Sequence, residues 1–208
     1  MHITKYSHSC LRITGDGVLV VDPGVFSERS ALDDADAVLI THEHPDHVDV
    51  AALAAACAGN PDLVVHAHPD VLAKLGVPAR PIEPGQTISV AGLDVTAYGG
   101  QHAIIHPDIP RVANLGYLIA DGAGTLYHPG DSFVVPGDAA VDTLFVPVAA
   151  PWLKLSEAID FVRAVRPKRA FALHDALLTE DGAKITDTHL TNLSGCDYAR
   201  LTAGSSTD

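Results

Sequence analysis

The chain has 208 residues, 47% hydrophobic and 19% charged, a balance that fits a globular core and excludes a disordered chain. Its formal net charge of −13 opposes a phosphate backbone, so a nucleic-acid partner is not expected. Three scattered cysteines, Cys10, Cys57 and Cys196, form no CxxC pair and exclude a disulfide framework.

In chain order, the opening MHITKYSHSCLRI alternates like a strand and lacks the apolar run of a signal peptide. It predicts strands over Ile3–Tyr6 and Cys10–Thr14, with a Gly15-Asp16-Gly17 turn into Val18–Val21. Asp22-Pro23-Gly24 stops that strand. Ala37–Ile40 is short and wholly apolar, as expected of a strand buried on both faces. Val50, Leu53, Ala54 and Cys57 recur at helical spacing, so a helix is expected to run to Gly59, with Pro45 suited to a first turn.

A strand over Leu63–His66 and a short helix over Pro69–Leu75 follow. Strands are then expected over Thr87–Val90, Leu93–Tyr98, Leu115–Ala120, Thr125–Tyr127 and Thr143–Val146. Ser156 reads as the N-cap of a helix carrying Ala158, Ile159, Val162 and Val165 and ending before Pro167. Ala170–Leu173 is a last strand, ending at His174, and the tail from about residue 202, TAGSSTD, is expected to fray.

No linker divides the chain, and no apolar run reaches the roughly 18 residues of a membrane span. The expectation is one domain over residues 1–208, cytoplasmic, with two sheets between helices. Nothing in the sequence bears on oligomeric state.

The chemistry concentrates in THEHPDH, Thr41 to His47. His42 and His44 are two apart, so on an extended segment both imidazoles point the same way and can grip one ion. Asp46 and His47, expected to begin the next helix, face a different direction and could hold a second ion beside the first. Imidazole and carboxylate suit zinc and comparable divalent metals. A solvated polar loop is the plainer reading, and the position between an apolar strand and a helix counts against it.

THEHPDH resembles the HxHxDH motif of the metallo-β-lactamase fold superfamily. The resemblance continues at GGQH (His102), YHPGDS (Asp131) and FALHD (His174), covering roughly residues 3–177. SHSCLRI and the run from Val146 to Asp175 are further similar to the small bacterial hydrolases grouped with ascorbate-6-phosphate lactonases. The resemblance implies a four-layer αββα sandwich with a metal site along one edge. It implies one ion on His42, His44 and His102, a second on Asp46, His47 and His174, and Asp131 bridging both. The ions would be zinc, with manganese or iron as alternatives. A hydroxide between them would be the nucleophile, since coordination lowers the pKa of water toward about 7. Asp46 could also orient it.

The expected activity is therefore hydrolysis of a small ester, lactone, amide or phosphodiester. The alternative is an iron-dependent oxidoreductase or dioxygenase on the same fold, and a non-catalytic binding protein is disfavoured by so complete a ligand set. No cysteine fits a ligand position, so hydrolysis of β-lactam antibiotics is not expected. His8 and His106 are candidates for the substrate pocket. His102, after the Gly99-Gly100 break, is preferred over His106 as the third ligand of the first ion. His128 reads as structural. HAHPD at His66–Asp70 echoes the motif, but Val71 stands where its last histidine would be. Lys5, Arg12, Arg111 and Lys154 could meet an anionic substrate.

Overall fold

Strand β4 (Ala37–Ile40) is buried at all four positions. Ala37 and Leu39 enter one core while Val38 and Ile40 enter another, so an unbroken apolar run is what its place demands. In the computed structural model, which describes residues 1–208, it lies inside the first of two seven-stranded sheets.

Strands β1 (His2–Lys5), β2 (Leu11–Thr14) and β3 (Val18–Val21) form an antiparallel meander beside β4. Parallel strands β5 (Val64–Ala67) and β6 (Arg80–Pro81) complete that side. Helix α1 (Val50–Gly59) and helix α2 (Pro69–Leu75) cross over between them.

The second sheet repeats the plan. Antiparallel β7 (Thr87–Val90), β8 (Leu93–Gly99), β9 (Leu115–Ala120) and β10 (Thr125–His128) lead into parallel β11 (Thr143–Pro147), β12 (Arg169–Leu173) and β13 (Asp197–Ala199). Its crossovers carry α3 (Leu155–Val165) and α4 (Glu180–Leu193).

A core including Leu11, Leu39, Val95, Tyr117 and Phe171 joins the inner faces of the sheets. Helices α1 and α2 cover the outer face of the first through Leu53, Val71 and Leu75, and α3 and α4 cover the second through Phe161, Val162 and Leu190. The layers are αββα, as expected. No helix is long and apolar enough to cross a membrane.

Four local expectations need correction. Helix α1 starts at Val50, capped by the Asp49 carboxylate, which accepts from Ala52 N–H at 2.9 Å. Pro45 to His47 instead form a tight turn closed by His47 N–H on His44 O. The buried stripe of α1 is Ala52 and Leu53, while Val50 faces solvent. Helix α3 begins at Leu155, before Ser156, because the Glu157 carboxylate reaches back to Lys154 N–H at 3.2 Å. The tail does not fray. Residues Ser206–Thr207 form β14, pairing antiparallel with β1 and covering its edge.

Candidate metal centre

Strands β4, β8, β10 and β12 all end at one rim of the sandwich, and the segments that leave them carry the titratable side chains. This is where open α/β sheets bind ligands. Backbone hydrogen bonds tie the segments together: Leu115 N–H to Thr41 O, Ala103 N–H to Asp131 O and His174 N–H to His8 O. The Tyr117 hydroxyl donates to Ile40 O at 2.8 Å, linking the two sheets just below the site.

Backbone conformation aims the side chains of the candidate site. His8, Asp22 and His174 all have positive φ, a left-handed geometry that L-residues adopt only where the surroundings hold it. Gly130 has φ 59°, and a Cβ there would collide with Asn114 Oδ1 and Thr41. Asn114 needs that space: its Oδ1 accepts from Asp131 N–H at 2.9 Å and its Nδ2 donates to Pro129 O at 3.0 Å.

The seven expected ligands converge. Nε2 of His42 lies 3.0 Å from Nδ1 of His44. Asp131 stands in the centre, Oδ1 3.1 Å from His47 Nε2 and Oδ2 3.3 and 3.2 Å from His102 and His174 Nε2. Asp46 Oδ2 lies 3.3 Å from His174 Nε2. The donor atoms fall into two groups, each within 4.8 Å: His42, His44, His102 and Asp131, and His8, Asp46, His47 and His174.

His8 belongs to the second group by distance but not by chemistry. Its Nδ1 accepts from Ala176 N–H, so in the neutral ring the proton sits on Nε2, which donates to Asp46 Oδ2 at 3.1 Å. His8 therefore holds Asp46 in place.

The donor set fits divalent ions. Nε2 of His47, His102 and His174 and Oδ1 of Asp131 are buried without a hydrogen-bond partner. Leaving such groups unsatisfied costs about 1–3 kcal/mol each, and all four point at the same small volume. Behind them stand partners that set the ring tautomers. Asp22 Oδ2 accepts from His47 Nδ1 at 2.6 Å, Ala103 O from His102 Nδ1 at 2.6 Å and Ala149 O from His174 Nδ1 at 2.5 Å. Each leaves Nε2 free to face the site.

The electrostatics follow from this packing. Burial opposes charge on His47, but Asp131 and Asp22 outweigh it and hold the imidazole well above its ordinary value. Burial likewise disfavours charge on His174, and the Asp131 and Asp46 carboxylates, 3.2 and 3.3 Å from its Nε2, still raise it to about 9. Both carboxyls are depressed despite burial, Asp131 chiefly by His47 and Asp46 chiefly by His174 and His8. Burial and the neighbouring His47 push His42 well below its usual range. A divalent ion must displace the protons that these imidazoles carry in order to bind.

His106 is not part of it. Its side chain is 61% exposed and lies toward Asp108, whose N–H donates to its Nδ1 at 3.2 Å. Ile105 takes the wall position instead, in a cavity of about 400 Å3 that opens over His44, Asp46, His102, Asp131 and His174. His128 is structural, donating to Ser9 O at 2.9 Å and accepting from Gly130 N–H. His68 caps α2, accepting from Asp70 N–H, and His66 lies within β5. A second cavity of about 360 Å3, among Met1, Asp121, Asp142 and Arg169, contains none of the site residues.

Two partners escape the sequence reading. Asp22 accepts from Thr41 N–H and Oγ1 as well as from His47, and its signal was a carboxylate directly after the apolar strand Val18–Val21. The chain's lone tryptophan, Trp152, donates from Nε1 to Asp131 Oδ2 at 3.0 Å.

Comparison with known proteins gives consistent matches. Residues 2–174 match the family model described as Beta-lactamase superfamily domain. Protein Rv0786c of Mycobacterium tuberculosis is 42% identical over 205 residues, spanning 97% of this chain and 96% of its own length. A UPF0173 metal-dependent hydrolase of Methanoregula boonei is 29% identical over 154 residues, covering 72% of this chain and 68% of its own. The metallo-beta-lactamase fold protein YhfI from Bacillus subtilis superposes with a TM-score of 0.73 at 17% identity, over 96% of this chain and 91% of that one. These matches speak to the superfamily and not to the lactonase-like subgroup that the sequence evokes.

Proposed function

The chain belongs to the beta-lactamase superfamily and has its αββα fold, and from that premise we propose a metal-dependent hydrolase with a dinuclear centre. His42, His44 and His102 would hold one ion, Asp46, His47 and His174 the other, with Asp131 shared. The observation that carries this reading is Asp131: buried, central, and facing His47 with one oxygen and His102 and His174 with the other. A shared carboxylate is what two adjacent dications need between them.

When bound, such ions supply Lewis acidity and lower the pKa of water at the site. The chain's own residues do the rest. Asp22, Ala103 O and Ala149 O fix the imidazoles, His8 steers Asp46, and Trp152 anchors Asp131 while walling the cavity. Asp46 lines the cavity, where its carboxylate can accept a proton from an attacking water.

The test is elemental analysis and turnover on one preparation. Zinc-loaded protein should hold two ions per chain and hydrolyse a chromogenic ester without dioxygen, and a strong chelator should abolish that activity. Asp131→Ala should lose metal and activity together. A strict requirement for iron with oxygen uptake would move the protein to oxidative chemistry instead.

A further inference from the structure

Around the candidate ligands the chain builds walls that are apolar and free of cations. Phe26, Ile105, Pro151, Trp152 and Leu177 line the cavity of about 400 Å3, and no lysine or arginine does. The apolar surface continues to the mouth, where Phe26 is 47% and Leu177 56% exposed. Large apolar side chains left in water around a concave site mark a binding surface for apolar matter. The walls are also held in place. Phe26 packs edge-on against His8 at 5.2 Å, and Trp152 packs against Phe133 at 5.2 Å while its Nε1 donates to Asp131.

The cations that an anionic substrate would need are engaged elsewhere. Lys5 is buried, donating to Tyr6 O, His8 O and Asp175. Arg12 donates to Ala31 O and Asp33 O. Arg111 is bound to His102 O and Gln101 Oε1, beside an adjoining recess of only about 20 Å3. Lys154 is 80% exposed and pairs with Glu157. Phosphoryl groups are charged at every working pH and are met in proteins by forked arginines or lysines. The walls of this cavity offer neither, so a phosphoryl group could meet only the bound ions themselves, and the net charge of −13 around them adds repulsion.

Resting on the hydrolase reading above, we infer that the substrate is an uncharged carboxylic ester or lactone with an apolar acyl chain seated against Phe26, Trp152 and Leu177, and not a phosphodiester. In the net reaction the oxygen of water bonds to the acyl carbon, the acyl C–O bond breaks, and the departing oxygen takes a proton. A carboxylic acid and an alcohol result, or a hydroxy acid from a lactone, and nothing is oxidised or reduced.

The test uses zinc-loaded protein and one leaving group throughout: 4-nitrophenyl esters from acetate to octanoate, against bis(4-nitrophenyl) phosphate. The expected kcat/KM rises about fourfold for each methylene that enters the cavity, and every ester longer than acetate exceeds the phosphodiester. Phe26→Ala should flatten the rise. A binding series without turnover runs beside it: alkyl hydroxamates of increasing length, and inorganic phosphate, titrated calorimetrically into the loaded protein. Hydroxamates should tighten with length and outbind phosphate. Binding and turnover indifferent to chain length, or a phosphodiester preferred to every ester, overturns the inference. Loss of all chelator-sensitive turnover, with length-dependent binding intact, would overturn the hydrolase reading instead and leave the apolar specificity of the cavity standing.

Discussion

His8 shows how much of this centre rests on single protons. Its ring accepts Ala176 N–H on one nitrogen and offers a proton to Asp46 on the other, and it packs 3.9 Å from the His174 ring. Removing it frees Asp46 to rotate without deleting a ligand. We expect His8→Ala to weaken binding of the proposed second ion about 10- to 100-fold, the usual effect of losing a group behind a ligand. His8→Gln, whose amide can still donate, should recover part of that loss. Competition with a colorimetric chelator reads both, and equal affinities for His8→Ala and the parent would remove His8 from this role. The legibility of the residues follows the same logic. His42, His44, Asp46 and His47 were visible because they crowd one turn of chain. Asp22 was not, since its partners Thr41 and His47 stand 19 and 25 positions away. His106 misled because an apolar neighbour marked the right wall at the wrong residue, Ile105.

Among the elements, α3 supports the site from behind. Phe161 stacks on Phe133 at 5.2 Å, and Phe133 meets Trp152, so a chain of rings runs from the helix core to the residue that anchors Asp131. Phe161→Ala should destabilise the fold by about 3–5 kcal/mol, the range for a buried aromatic. It should also loosen Trp152, seen as a red shift of its fluorescence. Thermal unfolding that matches the parent would contradict this account. Helix α3 was readable because Ala158, Ile159, Val162 and Val165 form one apolar stripe. Helix α4 was not. It buries only Thr186 and Leu190 and carries Gly182 in its first turn, so its sole sequence signals are the Thr179 cap and the acids Glu180 and Asp181. Strands β13 and β14 are three and two residues long, too short for any alternation to register.

For the molecule as a whole, the protons of the centre set opposite pH slopes for folding and for metal. In metal-free protein the His174 imidazole, raised from 6.5 to about 9 by Asp131 and Asp46 against its burial, stabilises the fold fully below pH 6.5. That contribution fades as pH climbs through about 9. The same proton obstructs a dication. Apparent metal affinity should therefore rise with pH over this window, by up to about tenfold per pH unit for each proton displaced. Chemical denaturation of chelated protein, paired with metal titrations at pH 6.5 and 8.5, checks both signs. Metal affinity independent of pH would mean that His174 is not displaced from its proton and is no ligand.

The proposed ligands are also divided between the two halves of the chain: His42, His44, Asp46 and His47 precede the exposed turn at residues 83–86, while His102, Asp131 and His174 follow it. Neither half alone holds a complete set for either ion. A dication here would thus act as a rivet between two sheets that repeat one plan, adding to the apolar core they share. Cutting the backbone at Glu83–Pro84 would turn that arrangement into a bimolecular one. The two fragments should then reassemble with an affinity that rises with free zinc and collapses with chelator. Fragment complementation is, in this sense, a direct gauge of how tightly the ions fasten one half to the other.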